Sequence, residues 1–257
     1  MTLLEQKPGL VTGAGSGLGR ATCFLAAAEG APVAAVDIRG DAAEETAEAV
    51  RSQGGEAIAI EADVTRADQM EAAVGRVMEA FGQLRWASNN AAGGMDAFTP
   101  LHEIDDENWS RTIDICLKGI FHGMKYEIPA MLESGGGSIV NISTVSVAKG
   151  EAFLGAYVAA KGGVEALTRT GAAEYAAQGL RVNAVAPGGF ETPGLQRYFQ
   201  RFPEFAEKTV AQHALRRVGQ PSEVAEAVIW LASDRSSFVT GATLRCDGGL
   251  LVNSHML

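Results

Sequence analysis

Basic charge is in short supply in this chain: 21 Lys and Arg stand against 31 Asp and Glu, a formal net charge of −10. Such a surface does not draw in a polyanion by long-range field, so nucleic acid is excluded as an expected partner, and any bound phosphate must be held locally. Cysteine is scarce as well. Cys23, Cys116 and Cys246 are odd in number and match no disulfide or metal spacing, which reads as reduced thiols in a cytoplasmic protein. The four histidines are scattered, with no i, i+4 pair, and no metal site is expected. No apolar run approaches the roughly 18 residues needed to span a bilayer, and residues 1–10 lack the apolar core of a signal peptide, so no membrane partner is expected. No repeat, low-complexity tract or linker divides the 257 residues, a length that fits one α/β domain.

What is present is a regular alternation of short apolar runs with longer amphipathic ones. Strands are expected at Gly9–Thr12, Pro32–Asp37, Ala57–Glu61, Leu84–Ser88, Ser138–Ser143, Leu180–Ala186 and Thr243–Cys246. Helices are expected at Gly19–Gly30, Asp41–Gln53, Arg66–Phe81, Ala156–Gln178 and Pro221–Ser233, with one long helical stretch over Asp106–Glu133 that contains Pro129. Strand–helix alternation of this kind predicts a parallel sheet with helices on both faces. Near-continuous apolar strands are what burial on both faces requires. The one long irregular stretch, Gly188–Gln220, carries Phe190, Tyr198, Phe199, Phe202 and Phe205 and is expected to be a substrate loop.

Thr12-Gly13-Ala14-Gly15-Ser16-Gly17-Leu18-Gly19 lies between the first strand and the first helix. Glycines there let the backbone turn tightly and approach a pyrophosphate, whose charge then meets a helix N-terminus. The GxGxxG register is not met; the pattern is TGxxxGxG. Asp37 closes the second strand, where a carboxylate can accept from both adenosine ribose hydroxyls and repel a 2′-phosphate, selecting NAD over NADP. Arg39 lies close by, and Asp63, closing the third strand, either contacts adenine or caps the following helix. Tyr157 and Lys161 are four apart on one helix and so share a face. A cation one turn away stabilises a phenolate and is expected to lower the tyrosine pKa from its ordinary value near 10, making a usable base. The Ser143-Thr144 hydroxyls precede this pair.

Together, TGAGSGLG (12–19), Asp37, Asp63, Asn89-Asn90-Ala91, Ser143-Thr144, Tyr157-x-x-x-Lys161 and Pro187-Gly188 resemble the short-chain dehydrogenase/reductases. So do Arg217-Val-Gly-Gln-Pro-Ser-Glu-Val-Ala225, Ser237-Phe-Val-Thr-Gly241 and Asp247-Gly-Gly249, and the likeness covers nearly all of residues 7–250. The resemblance implies a single-domain Rossmann fold whose seven-stranded parallel sheet runs in the order 3-2-1-4-5-6-7. It implies that NAD is held by Gly13, Ser16, Gly17, Leu18, Gly19, Asp37, Asp63, Val64, Asn90, Tyr157, Lys161, Pro187 and Gly188, with Phe190 and Thr192 bordering the nicotinamide. Tyr157 would be the acid/base, Lys161 would lower its pKa and hold the nicotinamide ribose, and Thr144 or Ser143 would bind the substrate oxygen, with Ser146 a further candidate.

The chain departs from the family pattern in three places. Ala92 stands where Asn-Asn-Ala-Gly is usual, and Thr144 stands where the catalytic Ser is usual, thirteen residues before Tyr157. Thr both donates and accepts, but its methyl is rotamer-stiff. Cys116 stands where a helix of the family carries an Asn that belongs to a proton relay, and a thiol is a poor hydrogen-bond partner. Either the backbone carbonyl of residue 116 serves that relay or catalysis is impaired.

Asn-Asn-Ala-Ala, Met124-Lys-Tyr-Glu-Ile128 and Thr192-Pro-Gly-Leu-Gln-Arg197 resemble the branch that oxidises cyclic alcohols and ring diols. Met95, Phe98, Phe153, Phe190, Leu195 and Phe199 are the candidates for an apolar pocket, unless several of these rings pack the loop itself. The expected activity is oxidation of a secondary alcohol to a ketone with NAD. The alternatives are a 3-oxoacyl-thioester or other ketone reductase, and an NAD-binding regulatory protein. A homotetramer is expected, because Ile113, Leu117, Ile120 and Phe121 on one helix, and Val158, Val164, Leu167 and Ala172-Ala173 on another, spread over more than one face.

Overall fold

The apolar runs become seven short parallel strands: β1 (Gly9–Thr12), β2 (Val33–Asp37), β3 (Ala57–Glu61), β4 (Trp86–Asn89), β5 (Gly137–Ile142), β6 (Leu180–Pro187) and β7 (Thr243–Cys246). In the computed structural model, which describes residues 2–93 and 99–253, they form one sheet in the order β3-β2-β1-β4-β5-β6-β7. Every pairing is parallel, with Leu10 opposite both Ala34 and Ala87, and Ile139 opposite Val182. The order reverses between β1 and β4, and this switch point opens a crevice at the carboxyl ends of the strands. The expected sheet order and single Rossmann-type domain are those observed.

The helices are α1 (Gly17–Ala28), α2 (Gly40–Ser52), α3 (Ala67–Phe81), α4 (Asp106–Ile113), α5 (Gly119–Glu133), α6 (Ser146–Lys149), α7 (Gly155–Tyr175), α8 (Pro193–Arg201), α9 (Glu204–Gln212) and α10 (Pro221–Ala232). Helices α1, α2 and α10 cover one sheet face, and α3, α5 and α7 the other. Each forms for local reasons. α2 buries Ala42, Ala43, Thr46, Ala47 and Val50 at helical spacing and leaves its glutamates outside. α10 begins at Pro221, and the Glu223 carboxylate turns back to accept from the Gln220 N–H at 2.8 Å. Among the described residues, no helix is long and apolar enough to cross a membrane.

Two expectations need correction. The stretch Gly188–Gln220 is not irregular throughout, because α8 and α9 occupy most of it. The stretch over 106–133 is helical but not one α-helix: residues Asp114–Lys118 form a π turn between α4 and α5, with the Gly119 N–H reaching back to the Asp114 carbonyl. Pro129 sits inside α5 without ending it.

Candidate active site

The Gly-rich turn leads from β1 into the amino end of α1. Gly13 and Gly17 have φ of +65° and +52°, and a Cβ at Gly19 would lie 2.2 Å from the Gly13 carbonyl oxygen. A side chain at any of the three would strain or fill the cradle. Ser16 stands at the N-cap and makes no capping side-chain bond, while Leu18 is buried in the core. The first N–H groups of α1 therefore face the crevice with no side-chain partner from their own cap. Asn90 braces the turn from the other side: its Nδ2 donates to the Thr12 carbonyl at 3.2 Å, and its backbone N–H to Thr12 Oγ1 at 3.0 Å.

Asp37 lies at the end of β2 with its side chain 11% exposed. Its carboxylate accepts from the Gly15 N–H at 2.8 Å and from the Arg39 N–H at 3.0 Å, so it is fixed at the rim of the cradle. Arg39 Nε is 3.8 Å away, on an open side chain. Arg20 is committed elsewhere: it donates to the Gly15 carbonyl, to Thr46 Oγ1 and to Glu45. Asp63 Oδ1 accepts from the Thr65 N–H at 2.9 Å, ahead of α3, whose N-cap is Arg66. The Val64 carbonyl bonds His122 Nδ1 at 2.9 Å, and its side chain packs over Gly119.

On the opposite side of the crevice, α7 brings Tyr157 and Lys161 under the end of β5. The Thr144 hydroxyl stands near the Tyr157 phenol and acts to lower its pKa. Thr144 Oγ1 also lies 3.3 Å from Ser146 Oγ. Ser143 points away, donating to Glu165 Oε1 at 2.8 Å. Glu165 is one turn beyond Lys161 on α7, so Ser143 ties β5 to that helix and Thr144 is left facing Tyr157. Lys161 is almost wholly buried, donates to the Ile142 carbonyl at 2.6 Å, and holds its Nζ 5.9 Å from the centre of the Tyr157 ring.

The expected lowering of the Tyr157 pKa is not what the protein alone produces. Burial pushes the phenol up, Cys116 adds to that, and the Thr144 hydroxyl only partly opposes it. Burial also pushes the Lys161 ammonium down. The physical reason is that desolvation disfavours the charged form of both groups, while Lys161 spends a donor on a neutral carbonyl.

Cys116 sits in the π turn, fully buried, with Sγ donating to the Gly93 carbonyl at 3.4 Å. Its thiol thus tethers the turn to the segment after β4. At the end of β6, the buried Pro187 accepts from the Val145 N–H, and the following Gly188 N–H donates to the Cys246 carbonyl. Thr192 accepts from the Leu195 N–H at the start of α8, and its methyl faces Gly17 across the crevice. Phe190 is half-buried against the core cluster of Val185, Val224 and Val228 and pairs with Gly219. Phe202 and Phe205 pack edge to face, 6.2 Å apart, within the α8–α9 segment. Phe153 is half-exposed with φ of +69°, beside a cavity walled also by Ile104, Asn108, Thr112 and Tyr157. Met95 and Phe98 lie outside the described residues.

Three residues at or near this site carry no sequence signal of their own. Glu165 is found only through its Ser143 partner, 22 residues away. Glu127 is found through Asn89, and His213 through two backbone groups, so neither belongs to a side-chain motif.

The family model described as enoyl-(acyl carrier protein) reductase matches residues 13–251. Cyclohexanol dehydrogenase of Acinetobacter sp. is 41% identical over 244 residues, covering 95% of this chain and 94% of the relative. The 2,5-dichloro-2,5-cyclohexadiene-1,4-diol dehydrogenase of Sphingobium indicum is 42% identical over 250 residues, covering 97% and 98%. Carveol dehydrogenase of Mycobacterium avium, solved in complex with NAD, superposes with a TM-score of 0.93 at 33% identity, covering 98% of this chain and 100% of that one. With the Gly-rich turn, Asp37 and the Thr144–Tyr157–Lys161 wall arranged about one crevice, these matches fix the assignment: the chain belongs to the short-chain dehydrogenase/reductase family of oxidoreductases.

Proposed function

We propose that this protein is an NAD-dependent dehydrogenase that interconverts a secondary, cyclic and largely apolar alcohol and its ketone, with Tyr157 as the acid/base. The observation that carries the reading is the Thr144 and Tyr157 hydroxyls beside a buried Lys161, facing a glycine-rich turn across the crevice. The residues present fit a dinucleotide. The cradle is one that a Cβ at Gly19 would fill, and its helix N–H groups suit a pyrophosphate. Gly13, Ser16, Gly17, Leu18, Gly19 and Asn90 would hold that part, Asp37 the adenosine ribose, Lys161 the other ribose, and Val64, Pro187, Gly188, Phe190 and Thr192 the nicotinamide end. Asp63 would border the adenine with what its local turn leaves free. Bound NAD supplies the hydride acceptor.

The chain's own groups then handle the proton. Thr144 holds the substrate oxygen with its hydroxyl, and Tyr157, once its own proton has passed into the relay, takes the alcohol proton at its phenolic oxygen. Lys161 faces the phenol from below and favours its ionised form once Tyr157 begins to lose its proton. The backbone carbonyl of Cys116, in the π turn, is the acceptor we assign to the relay, since its thiol is used on Gly93. Phe153, Leu195 and Phe199 line the place for the ring, within a substrate loop at 188–220. The close relatives named for cyclohexanol and a cyclohexadiene diol support a ring substrate. A homotetramer in the cytoplasm fits the half-exposed Phe121 on α5 and the partly exposed Val158 and Leu167 on α7.

One observation favours the reductive direction: burial holds Tyr157 in the protonated form that carbonyl reduction consumes. The same residues serve both directions, so a 3-oxoacyl-thioester or other ketone reductase is the second reading. The test is NADH formation from a panel of ring alcohols, ring diols and steroid alcohols, run beside NADP. We expect turnover with NAD, and a narrowing of the NAD preference in Asp37→Ala. A tenfold preference for NADP, about 1.4 kcal/mol, contradicts the role of Asp37.

A further inference from the structure

His213 is 1% exposed and follows directly on α9. Its Nδ1 lies 2.8 Å from the Thr209 carbonyl, and its Nε2 receives the Gly189 N–H at 3.0 Å. The two partners fix the ring's state. A carbonyl can only accept, so Nδ1 carries the hydrogen; a backbone N–H can only donate, so Nε2 presents its lone pair. The imidazole is therefore neutral and of a single tautomer. It is also enclosed by glycines. A Cβ at Gly189 would meet Cε1 at 3.1 Å, and one at Gly248 would meet Cδ2 at 3.4 Å.

The ring joins three segments: the last turn of α9, the strand exit at Gly188–Phe190, and the Asp247–Gly249 turn after β7, where the Thr209 methyl and the Asp247 side chain also lie against the Gly188–Gly189 backbone. The strand exit is itself well held, with the Gly189 carbonyl accepting from the Gly219 N–H at 2.9 Å and the Glu191 N–H donating to the Gly219 carbonyl at 2.8 Å. Helices α8 and α9 are less so. α8 has no fully buried side chain among those described, and Thr192 caps its first turn.

We infer that His213 is a positioning residue that latches the α8–α9 lid to the strand exit forming the floor of the proposed nicotinamide and substrate site. This rests on the function proposed above for its catalytic consequence, though not for the latch. Without the Nε2 acceptor, the part-buried Gly189 N–H loses its partner, and α9 loses the hydrogen-bonded side-chain tie that His213 makes to the strand exit. The lid then opens more often, while Tyr157, Lys161, Thr144 and Asp37 keep their places. A substrate loop that spends less time closed weakens substrate capture more than the chemical step.

The experiment compares wild type, His213→Leu and His213→Gln. The Leu variant removes both hydrogen bonds at similar volume; the Gln variant keeps one acceptor and one donor. Hydrogen exchange of the apoprotein is followed across residues 189–212, and KM and kcat are measured with the best ring alcohol at saturating NAD. We expect exchange over 193–212 to rise at least tenfold in His213→Leu with the sheet strands unchanged, KM for the alcohol to rise about tenfold, kcat to stay within threefold, and His213→Gln to recover most of both losses. Should His213→Leu fail to fold, Gly189→Ala, whose new methyl displaces the ring, is expected to raise exchange over the same residues. Unchanged exchange at 193–212, or a Gln variant as impaired as Leu, overturns the latch. An enzyme inactive on every alcohol, with the exchange result as expected, overturns the proposed activity and leaves the latch standing.

Discussion

At the residue scale the site depends on which of two adjacent hydroxyls faces the crevice. Strand alternation sends neighbours to opposite sides. Ser143, just past β5, is drawn to Glu165, and Thr144 is left on the Tyr157 side. The sequence left Ser143, Thr144 and Ser146 as alternatives because a partner 22 residues downstream carries no motif. The geometry makes a clear prediction. Thr144→Ala should cut kcat/KM at least a hundredfold, since it removes the hydroxyl that faces the phenol, roughly 2.7 kcal/mol of barrier. Thr144→Ser should recover most of it. Ser143→Ala should instead lower the melting temperature while leaving kcat/KM within a few-fold. The reverse pattern in steady-state kinetics would transfer the substrate contact to Ser143. Tyr157 shows where residue spacing misleads. An i, i+4 lysine suggests a lowered phenol pKa, but burial acts on both groups and wins in the protein alone.

At the scale of elements, the sheet was legible almost strand by strand. A strand buried on both faces reads as a near-continuous apolar run, as at 33–36 in β2, although β5 carries the buried Asn141 between Val140 and Ile142. The Gly-rich turn was legible because its conformation excludes side chains. Two elements were not. The π turn at Asp114–Lys118 adds a residue to a helix without changing its apolar pattern enough to be seen, yet it is what turns the Cys116 thiol towards Gly93. The lid helices α8 and α9, nine residues each, are short and begin beside Pro193 and Pro203, so the aromatic-rich stretch resembled a loop. Their tether, His213, bonds main-chain groups at both ring nitrogens, and such partners leave no trace in a side-chain pattern.

At the scale of the whole molecule, a buried carboxyl sets how stability follows pH. Glu127 on α5 is fully buried; Oε2 accepts from Asn89 Nδ2 at 2.9 Å, and Oε1 has no partner among the described residues. Asn89 also donates to Asn141 on β5, which donates to Thr168 on α7, so the cluster joins β4, β5, α5 and α7. Burial pushes the Glu127 carboxyl up to about 7 from its ordinary value of 4.5, against the weaker lowering by Asn89. Below pH 4.5 the native and unfolded chains both hold this proton. As pH rises towards 7 the unfolded chain loses it while the native one retains it, so folding is opposed progressively, by roughly 3 kcal/mol once both are ionised. Glu127→Gln carries no such proton. Urea unfolding should therefore find the two proteins similar near pH 5 and the Gln variant more stable near pH 8. A wild-type to variant difference that does not change with pH would mean that Glu127 is ionised in the folded protein, or compensated.

The central claim is that the phenol of Tyr157 exchanges the proton with the substrate in a cofactor site that stands without it. The most direct measurement is Tyr157→Phe, assayed for NADH formation on the best ring alcohol and, separately, for NAD binding by calorimetry. The account predicts a loss of turnover of a thousandfold or more, about 4 kcal/mol of barrier, with NAD bound within a few-fold of wild type. Near-normal turnover in Tyr157→Phe, with NAD still bound, would contradict it.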